Sequence, residues 1–229
     1  KELLRKAAEV EADIAREGIE YSLDSRAIAV GGQMISINGL NEKYDEIFLP
    51  LHGRHQATNA ASALVAVEAF FGSALSHEVV TEGFANVVMP GRFEVVGHQP
   101  LVILDGAHNP AGADVCASVF FDDFDPHGRR ILIVGALGGR DIADTLSALK
   151  VDEFDVVICC TAPSPRARQG REIATVAEQM GCTNVSSADS VERACDMALA
   201  DAGSDDAILV AGSLYVVGAA RTHLRRVLP

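Results

Sequence analysis

Basic residues are scarce in this sequence. Its 229 residues include 19 lysine and arginine residues against 32 aspartate and glutamate residues, which gives a formal net charge of −13. Because an acidic surface repels phosphates on average, neither nucleic acid nor an anionic membrane is expected as a partner. No apolar run approaches the roughly 18 residues of a transmembrane helix, and no segment resembles a signal peptide.

Cysteine is also sparse, with five residues and no Cys-x-x-Cys pair. This odd number without metal-ligand spacing argues against a zinc site and against a disulfide framework, so we expect no metal ligands and a reducing, cytoplasmic location. The hydrophobic fraction of 48% and the charged fraction of 22% are typical of a globular protein, and we expect a monomer. The cysteines are Cys116, Cys159, Cys160, Cys182 and Cys195.

A phosphate-binding P-loop is missing from these residues, because that motif needs a lysine followed by serine or threonine. Glutamate, alanine, tyrosine and valine follow Lys1, Lys6, Lys43 and Lys150 in that order. The chain starts with Lys1 rather than methionine and opens on a helical pattern, from which we expect a piece of a longer protein.

The first part of the chain predicts helices around a small antiparallel sheet. Apolar residues follow a helical spacing over 1–17, and short alternating runs with glycine-containing turns predict an antiparallel meander over 19–49. Two further helices are predicted at 54–71 and 76–86.

Beyond a domain boundary that we place between 97 and 98, continuous apolar strands alternate with helices. This order predicts an α/β domain with a doubly wound, mostly parallel sheet covered on both faces. The strands are predicted at 101–104, 131–134, 156–160, 184–186 and 207–210, and the helices at 110–121, 141–149, 171–181, 190–202 and 213–226.

Ligands of such sheets bind beyond the carboxyl ends of the strands, so the loops there are candidate sites. Asp105-Gly-Ala-His-Asn-Pro110 follows the first strand. Asp105 can hold a ribose hydroxyl, a metal or a cation, and His108 can contact an anionic substrate near the next helix. Alternatively, Asp105 or Asn109 only caps that helix.

Three more strand-end loops carry polar residues. The glycine-rich loop after the second strand has Leu137 where a dinucleotide fingerprint needs glycine, and Asp141 is equally well explained as a helix cap. Ser213 is either a helix cap or a ligand hydroxyl. The loop with Arg166, Arg168 and Arg171 can receive an anionic substrate, although we favour a solvated loop.

The first part of the chain contributes two candidates. Asn59, on the alanine-rich helix, can offer a donor and an acceptor to a purine edge, or it is a satisfied interior amide. Arg92 precedes the predicted boundary and can clamp a phosphate with its guanidinium fork, or it forms an interdomain ion pair.

Five motifs occur in a fixed order: His55-Gln-Ala-Thr-Asn-Ala60, Pro90-Gly-Arg-Phe-Glu94, Asp105-Gly-Ala-His-Asn-Pro-Ala-Gly112, Gly135-Ala-Leu137 and Gly212-Ser-Leu-Tyr-Val-Val-Gly218. Together they resemble the folylpolyglutamate synthase/dihydrofolate synthase branch of the Mur ligase superfamily, from about Leu49 to Arg221. One departure is Arg140, where relatives of that branch often carry lysine.

The resemblance implies an ATP-dependent ligase. ATP would phosphorylate a carboxylate of a folate or of dihydropteroate, and the amine of L-glutamate would attack the acyl phosphate. Residues 1–97 would then be the C-terminal part of the central ATP-binding domain, and 98–229 the C-terminal glutamate ligase domain. The P-loop and the Mg²⁺ ligands would lie in an N-terminal region outside this chain. The chain alone would then be inactive.

The resemblance also assigns residues. Asn59, Arg92 and Asp105 would bind ATP. His108 would be catalytic and would place the incoming glutamate, and Ser213 would bind that glutamate.

Other functions remain open at this point. A cell-wall Mur-type amino-acid ligase would share the fold and the use of ATP but act on a UDP-sugar peptide. A non-catalytic nucleotide-binding α/β module is a further alternative. A nicotinamide-binding domain is disfavoured by the broken glycine fingerprint.

Overall fold

The computed structural model describes residues 2–139 and 141–228, and it forms two compact units, Lys1–Val88 and Met89–Pro229. This division lies before the boundary predicted between 97 and 98. The reason is a strand that the sequence analysis missed, β4 (Glu94–His98), which pairs with β5 (Leu101–Leu104) and so joins the second unit.

The first unit contains the predicted meander and two of the predicted helices. Its three strands are antiparallel in the order β1-β2-β3, and alternate residues of β2 and β3 pack with the small side chains of Ala57 and Ala61. The elements are β1 (Ser22–Ala29), β2 (Gly32–Asn38), β3 (Lys43–Leu49), α2 (Arg54–Phe71) and α3 (His77–Ala85).

The predicted helix over 1–17 is much shorter in the structure. The helix α1 spans Glu2–Glu9 and buries none of its residues. A short helix depends on packing of its apolar face, and without such burial the periodic pattern does not extend the helix. Glu11 has a left-handed backbone with φ of 54°, which is incompatible with continuation. Lys1 itself lies outside the described residues.

The second unit is the predicted doubly wound α/β domain. Its six strands run in the order β4-β5-β9-β6-β7-β8, and all neighbouring pairs except β4-β5 are parallel. The remaining elements are α4 (Pro110–Ser118), β6 (Arg130–Val134), α5 (Ile142–Ala148), β7 (Val156–Cys160), α6 (Gly170–Gln179), β8 (Val185–Ala188), α7 (Val191–Asp201), β9 (Ala207–Ala211) and α8 (Leu214–Val227).

Both faces of this sheet are buried, as continuous apolar strands require. Successive residues of a strand point to opposite faces, so Ile131 and Ile133 pack with α7 and α8 while Leu132 and Val134 pack with α4, α5 and α6. The helix predicted over 110–121 ends at Ser118 and continues as a π-helical turn, Val119–Phe124.

The sheet places β9 between β5 and β6, so three strand-to-helix loops converge at one edge. Among the described residues, no helix has the length and apolar character needed to cross a membrane.

Candidate functional site

A cavity of about 240 Å³ opens at the carboxyl ends of β5, β6, β7 and β9, and we call it the strand-end cavity. The loops after these four strands all contribute to its wall, which is where the doubly wound topology predicts a ligand site. Its described lining residues are His108, Ala136, Leu137, Gly138, Asp141, Ile142, Thr145, Arg166, Gly212, Ser213, Leu214 and Tyr215.

The first wall is organised by Asp105, which is buried directly after β5. Its Oδ2 accepts a hydrogen bond from the backbone N–H of Phe93 at 2.9 Å, and its Oδ1 accepts one from Ala107 at 2.8 Å. Burial raises the pKa of the Asp105 carboxyl, while these two backbone bonds and the charge of Arg92 act in the opposite direction. The carboxylate therefore fixes the loop on which His108 lies.

A buried thiol on α4 senses the same carboxylate. The side chain of Cys116 is buried, and the pKa of its thiol responds to the nearby Asp105. Burial and the Asp105 charge raise the pKa of Cys116 well above its usual value, so the thiol stays protonated. The sequence analysis did not include Cys116 in the site, because nothing in the residue order links it to Asp105.

His108 is exposed at the mouth of this wall. Its Nδ1 lies 2.8 Å from the carbonyl oxygen of Gly106. A carbonyl oxygen only accepts, so Nδ1 carries the proton and the neutral ring has its lone pair on Nε2. Asn109 caps α4 by accepting a hydrogen bond from Gly112 at 2.8 Å, which shows that the capping alternative applies to Asn109 and not to Asp105.

The second wall joins the glycine loop after β6 to the arginine-containing loop after β7. The Gly138 N–H donates to the Arg166 carbonyl at 2.7 Å, and the Arg168 N–H donates to Ala136 at 2.9 Å. Glycine is required at position 135, because a Cβ there would lie 2.8 Å from the carbonyl oxygen of Cys160. Arg166 is thus attached to the cavity wall through its backbone, while its side chain is exposed as expected for a solvated loop.

Two helix caps complete the lining. Ser213 is buried and accepts a hydrogen bond from the Tyr215 N–H at 3.2 Å, which makes it the N-cap of α8. Asp141 accepts a bond from the Ala143 N–H at 2.9 Å and caps α5. Both residues line the strand-end cavity as well, so capping and ligand contact are compatible here.

The loops after β5 and β9 are bonded to each other. The Gly212 N–H donates to the Ala107 carbonyl at 2.9 Å, beside Ser213 on one loop and His108 on the other. Gly212 has φ of 100°, and a Cβ there would come within 2.4 Å of the Gly135 carbonyl oxygen. The predicted residues His108 and Ser213 are therefore brought together at one cavity.

Arg92 and Asn59 have different surroundings. Arg92 lies near Asp105, because the Gly106 N–H donates to the Gly91 carbonyl at 2.8 Å and Phe93 donates to Asp105. Asn59 belongs to the first unit, where it is exposed on α2 with its Nδ2 3.4 Å from Oε1 of Gln56. Arg140 lies outside the described residues.

Thr145 and Tyr215 line the cavity but were not proposed as site residues from the sequence, and Leu137 was noted there only because it breaks a glycine fingerprint. Tyr215 could have been identified, because it belongs to the motif Gly212–Gly218, which follows a predicted strand. Thr145 lies inside α5, and nothing in the local sequence distinguishes it. Within 2–139 and 141–228, no group of three or more His, Cys, Asp or Glu side chains is arranged to hold a metal ion.

The sequence was compared with known proteins. The family described as "Mur ligase, glutamate ligase domain" matches residues 91–214. The dihydrofolate synthase/folylpolyglutamate synthase of Mycobacterium tuberculosis is 39% identical, over 98% of this chain and 49% of its own length. This chain therefore spans about half of that relative.

Solved structures agree with this match. A Mycobacterium tuberculosis folylpolyglutamate synthase complexed with ADP and AMPPCP has a TM-score of 0.89 and 40% identity, covering 97% of this chain and 52% of that one. A bifunctional folylpolyglutamate synthase/dihydrofolate synthase with Mn, AMPPNP and L-glutamate bound has a TM-score of 0.79 and 29% identity, covering 97% and 50%.

The family match includes Asp105, His108, Arg166 and Ser213, and so spans all four loops of the strand-end cavity. The resemblance found in the sequence motifs is confirmed, and the chain belongs to the Mur ligase family.

Proposed function

We propose that the protein in which these residues occur is an ATP-dependent ligase that joins L-glutamate to the carboxylate of a folate or of dihydropteroate. The observation that carries this proposal is the strand-end cavity, which lies inside the matched glutamate ligase domain. Support comes from relatives whose names give both synthase activities and whose structures contain adenine nucleotides and L-glutamate. In this proposal the protein acts as a monomer on small molecules.

The strand-end cavity is the site of the incoming glutamate in this proposal. Ser213 and His108 line this cavity from adjoining loops, and the volume of the cavity is suited to an amino acid. The attacking amine must lose its positive charge before it can attack an acyl phosphate. His108 is placed to accept a proton at Nε2, because Nδ1 donates to the Gly106 carbonyl.

Asn59, Arg92 and Asp105 contact ATP in this proposal. The Arg92 guanidinium suits a phosphate through its planar fork of donors. Asp105 uses one lone pair of each oxygen for Phe93 and Ala107, and an ionised carboxylate has about four acceptor sites, so a further contact is compatible with its bonds. Its first effect is nevertheless to position the loop of His108.

A P-loop is absent from these 229 residues, and residues 2–139 and 141–228 contain no group of side chains arranged to hold a metal ion. The chain by itself is accordingly expected to form no product. In this proposal, residues outside this sequence bind the β- and γ-phosphates and the metal.

The proposal is tested by assaying the whole protein in which these residues occur. Dihydropteroate or tetrahydrofolate is mixed with ATP, Mg²⁺ and L-glutamate, and products are identified by mass spectrometry. We expect a product that has gained one glutamyl residue, together with ADP. Ligation of an amino acid only to a UDP-sugar peptide would instead identify a cell-wall ligase, and nucleotide binding without any ligation would identify a binding module.

A further inference from the structure

Arg166 is the one guanidinium among the described lining residues of the strand-end cavity. Its backbone is fixed on both sides, because its carbonyl accepts from Gly138 and its N–H donates to Oγ of Ser164 at 3.3 Å. Its neighbour Ala167 forms an antiparallel bridge with Leu137, another lining residue. A cationic side chain is thus anchored at the cavity wall.

The Arg166 side chain is exposed, and no hydrogen bond or ion pair of its guanidinium is found within the described residues. Some arginines of the second unit have an ion-pair partner instead, although Arg171, outside the cavity, has none within the described residues either. Arg129 pairs with Asp206 at 2.9 Å, and Arg221 pairs with Glu94 at 2.9 Å. In a protein with 32 acidic residues, a guanidinium at a cavity without an internal carboxylate partner remains able to bind an anion.

The rest of the cavity restricts which anion fits. Asp141 supplies a carboxylate that repels a simple polyanion but accepts an ammonium group. The first turn of α8, a helix of 14 residues, lies on another wall and favours a negative charge near Ser213. A ligand with one ammonium and two carboxylates can place the ammonium at Asp141, one carboxylate at the start of α8 and the other at Arg166. An amino acid with a neutral side chain has only one carboxylate, so either Arg166 or the start of α8 lacks an anionic partner.

We infer that Arg166 selects a dicarboxylic amino acid as the acceptor, by pairing with one of its two carboxylates. This inference rests on the proposed function, and it adds a specificity-determining residue that the site assignments above do not include. Arginine is suited to the task because its fork can bind both oxygens of a carboxylate, whereas lysine presents a single point charge.

The test measures direct binding by NMR titration of the complete 229-residue chain with L-glutamate and with L-glutamine. L-Glutamate is expected to shift the backbone amide signals of Gly138, Gly212 and Leu214, and L-glutamine is expected to bind more weakly. Arg166→Gln should weaken L-glutamate binding about tenfold, which corresponds to about 1.4 kcal/mol, and should abolish the preference over L-glutamine. Arg166→Lys should bind L-glutamate with an affinity between those of the unchanged chain and Arg166→Gln.

Arg171→Gln is the matched control, because Arg171 is exposed on α6 close to the same loop but does not line the cavity. It should bind L-glutamate as the unchanged chain does. Thermal midpoints of both variants should equal that of the unchanged chain, because both side chains are exposed. Equal L-glutamate affinity in Arg166→Gln and Arg171→Gln would overturn the role of Arg166 alone. A complete lack of L-glutamate binding by the unchanged chain would overturn the proposed glutamate site and this inference with it.

Discussion

Asp105 and Phe93 are joined by a hydrogen bond of 2.9 Å from a buried backbone N–H to a buried carboxylate. Phe93 is in the left-handed backbone region with φ of 49°, directly before β4, and Asp105 directly follows β5. This bond connects the segment before β4, which contains Arg92, to the loop that carries His108. The relationship gives Asp105 a positioning role that its position in the sequence motif did not reveal.

Replacing Asp105 with asparagine is therefore expected to destabilise the second unit. The amide nitrogen cannot accept a hydrogen bond, so the N–H of Phe93 or of Ala107 loses its partner. Leaving a buried donor unsatisfied costs about 1–3 kcal/mol of unfolding free energy. Urea denaturation measures this loss, with Asp114→Asn as the control because Asp114 is exposed on α4. Equal stability of the two variants would contradict the positioning role.

The pKa of Asp105 also predicts a pH dependence. Burial raises the carboxyl pKa in the folded state, so the folded protein binds the proton more tightly than the unfolded chain does. The stability contributed by this group is fully present below its ordinary pKa and falls as pH rises through the raised value. Asp105→Asn should lack this decrease, which unfolding free energies measured from below the ordinary carboxyl pKa upward will show. An identical pH slope in both proteins would contradict the raised pKa.

Thiol reactivity should be confined largely to one cysteine. Burial raises the pKa of Cys159, Cys160 and Cys195 to about 12 in each case, and Cys116 is also buried with a raised pKa. Because the thiolate is the reactive form, these four should resist alkylation at neutral pH. Partly exposed Cys182 should react first in the native protein, as mass spectrometry after iodoacetamide treatment can test. Rapid labelling of Cys116 would contradict the burial of its thiol.

In the first unit, Glu68 should be essential for stability. It is fully buried, with Oε1 accepting from the Tyr44 hydroxyl at 2.8 Å and Oε2 accepting from the Leu40 N–H at 2.6 Å. In Glu68→Gln the amide oxygen can accept from only one of these donors, so the Leu40 N–H or the Tyr44 hydroxyl proton loses its buried acceptor, which should cost about 1–3 kcal/mol. Exposed Glu78 on α3 provides the control Glu78→Gln, which should leave the denaturation midpoint unchanged.

His108 and Asn109 allow catalysis to be separated from capping. His108→Ala in the whole protein should lower kcat by about 10²–10³-fold, since it removes a group proposed to act in the transition state, and it should change the thermal midpoint little because the side chain is exposed. Asn109→Ala removes the cap of α4 and should cost about 1 kcal/mol of stability while retaining turnover. A lowered thermal midpoint with nearly unchanged kcat in His108→Ala would instead assign His108 a structural role.

The parallel sheet could be predicted from the sequence because its strands are continuous apolar runs. Val156–Cys160 and Leu101–Leu104 were predicted with the bounds that the structure has. In contrast, β4 is only half-buried at an antiparallel edge and has a register shift between Val95 and Gly97, so it lacks that signal. The first helix was overestimated because its apolar face meets no buried surface.

The candidate site was only partly predictable, because local sequence identifies loops but not their partners. His108 and Ser213 follow predicted strands, so their common edge could be expected. The solvated loop favoured for Arg166 is consistent with its exposed side chain, but the backbone pairing of that loop with Ala136 and Gly138 could not be predicted, because it depends on the order of β6 and β7 in the sheet. The influence of Asp105 on the pKa of Cys116 could not be predicted either, because it depends on how α4 packs.

The central claim is that the whole protein forms a glutamyl amide through an acyl phosphate, and isotope transfer tests it most directly. Dihydropteroate carrying a heavy oxygen isotope in its carboxylate is incubated with ATP, Mg²⁺ and L-glutamate. The carboxylate oxygen that attacks ATP stays with phosphorus when the amine displaces phosphate, so we predict one labelled oxygen in the phosphate released for each amide formed. Amide formation with unlabelled phosphate, or no glutamyl product from dihydropteroate or tetrahydrofolate, would contradict the account.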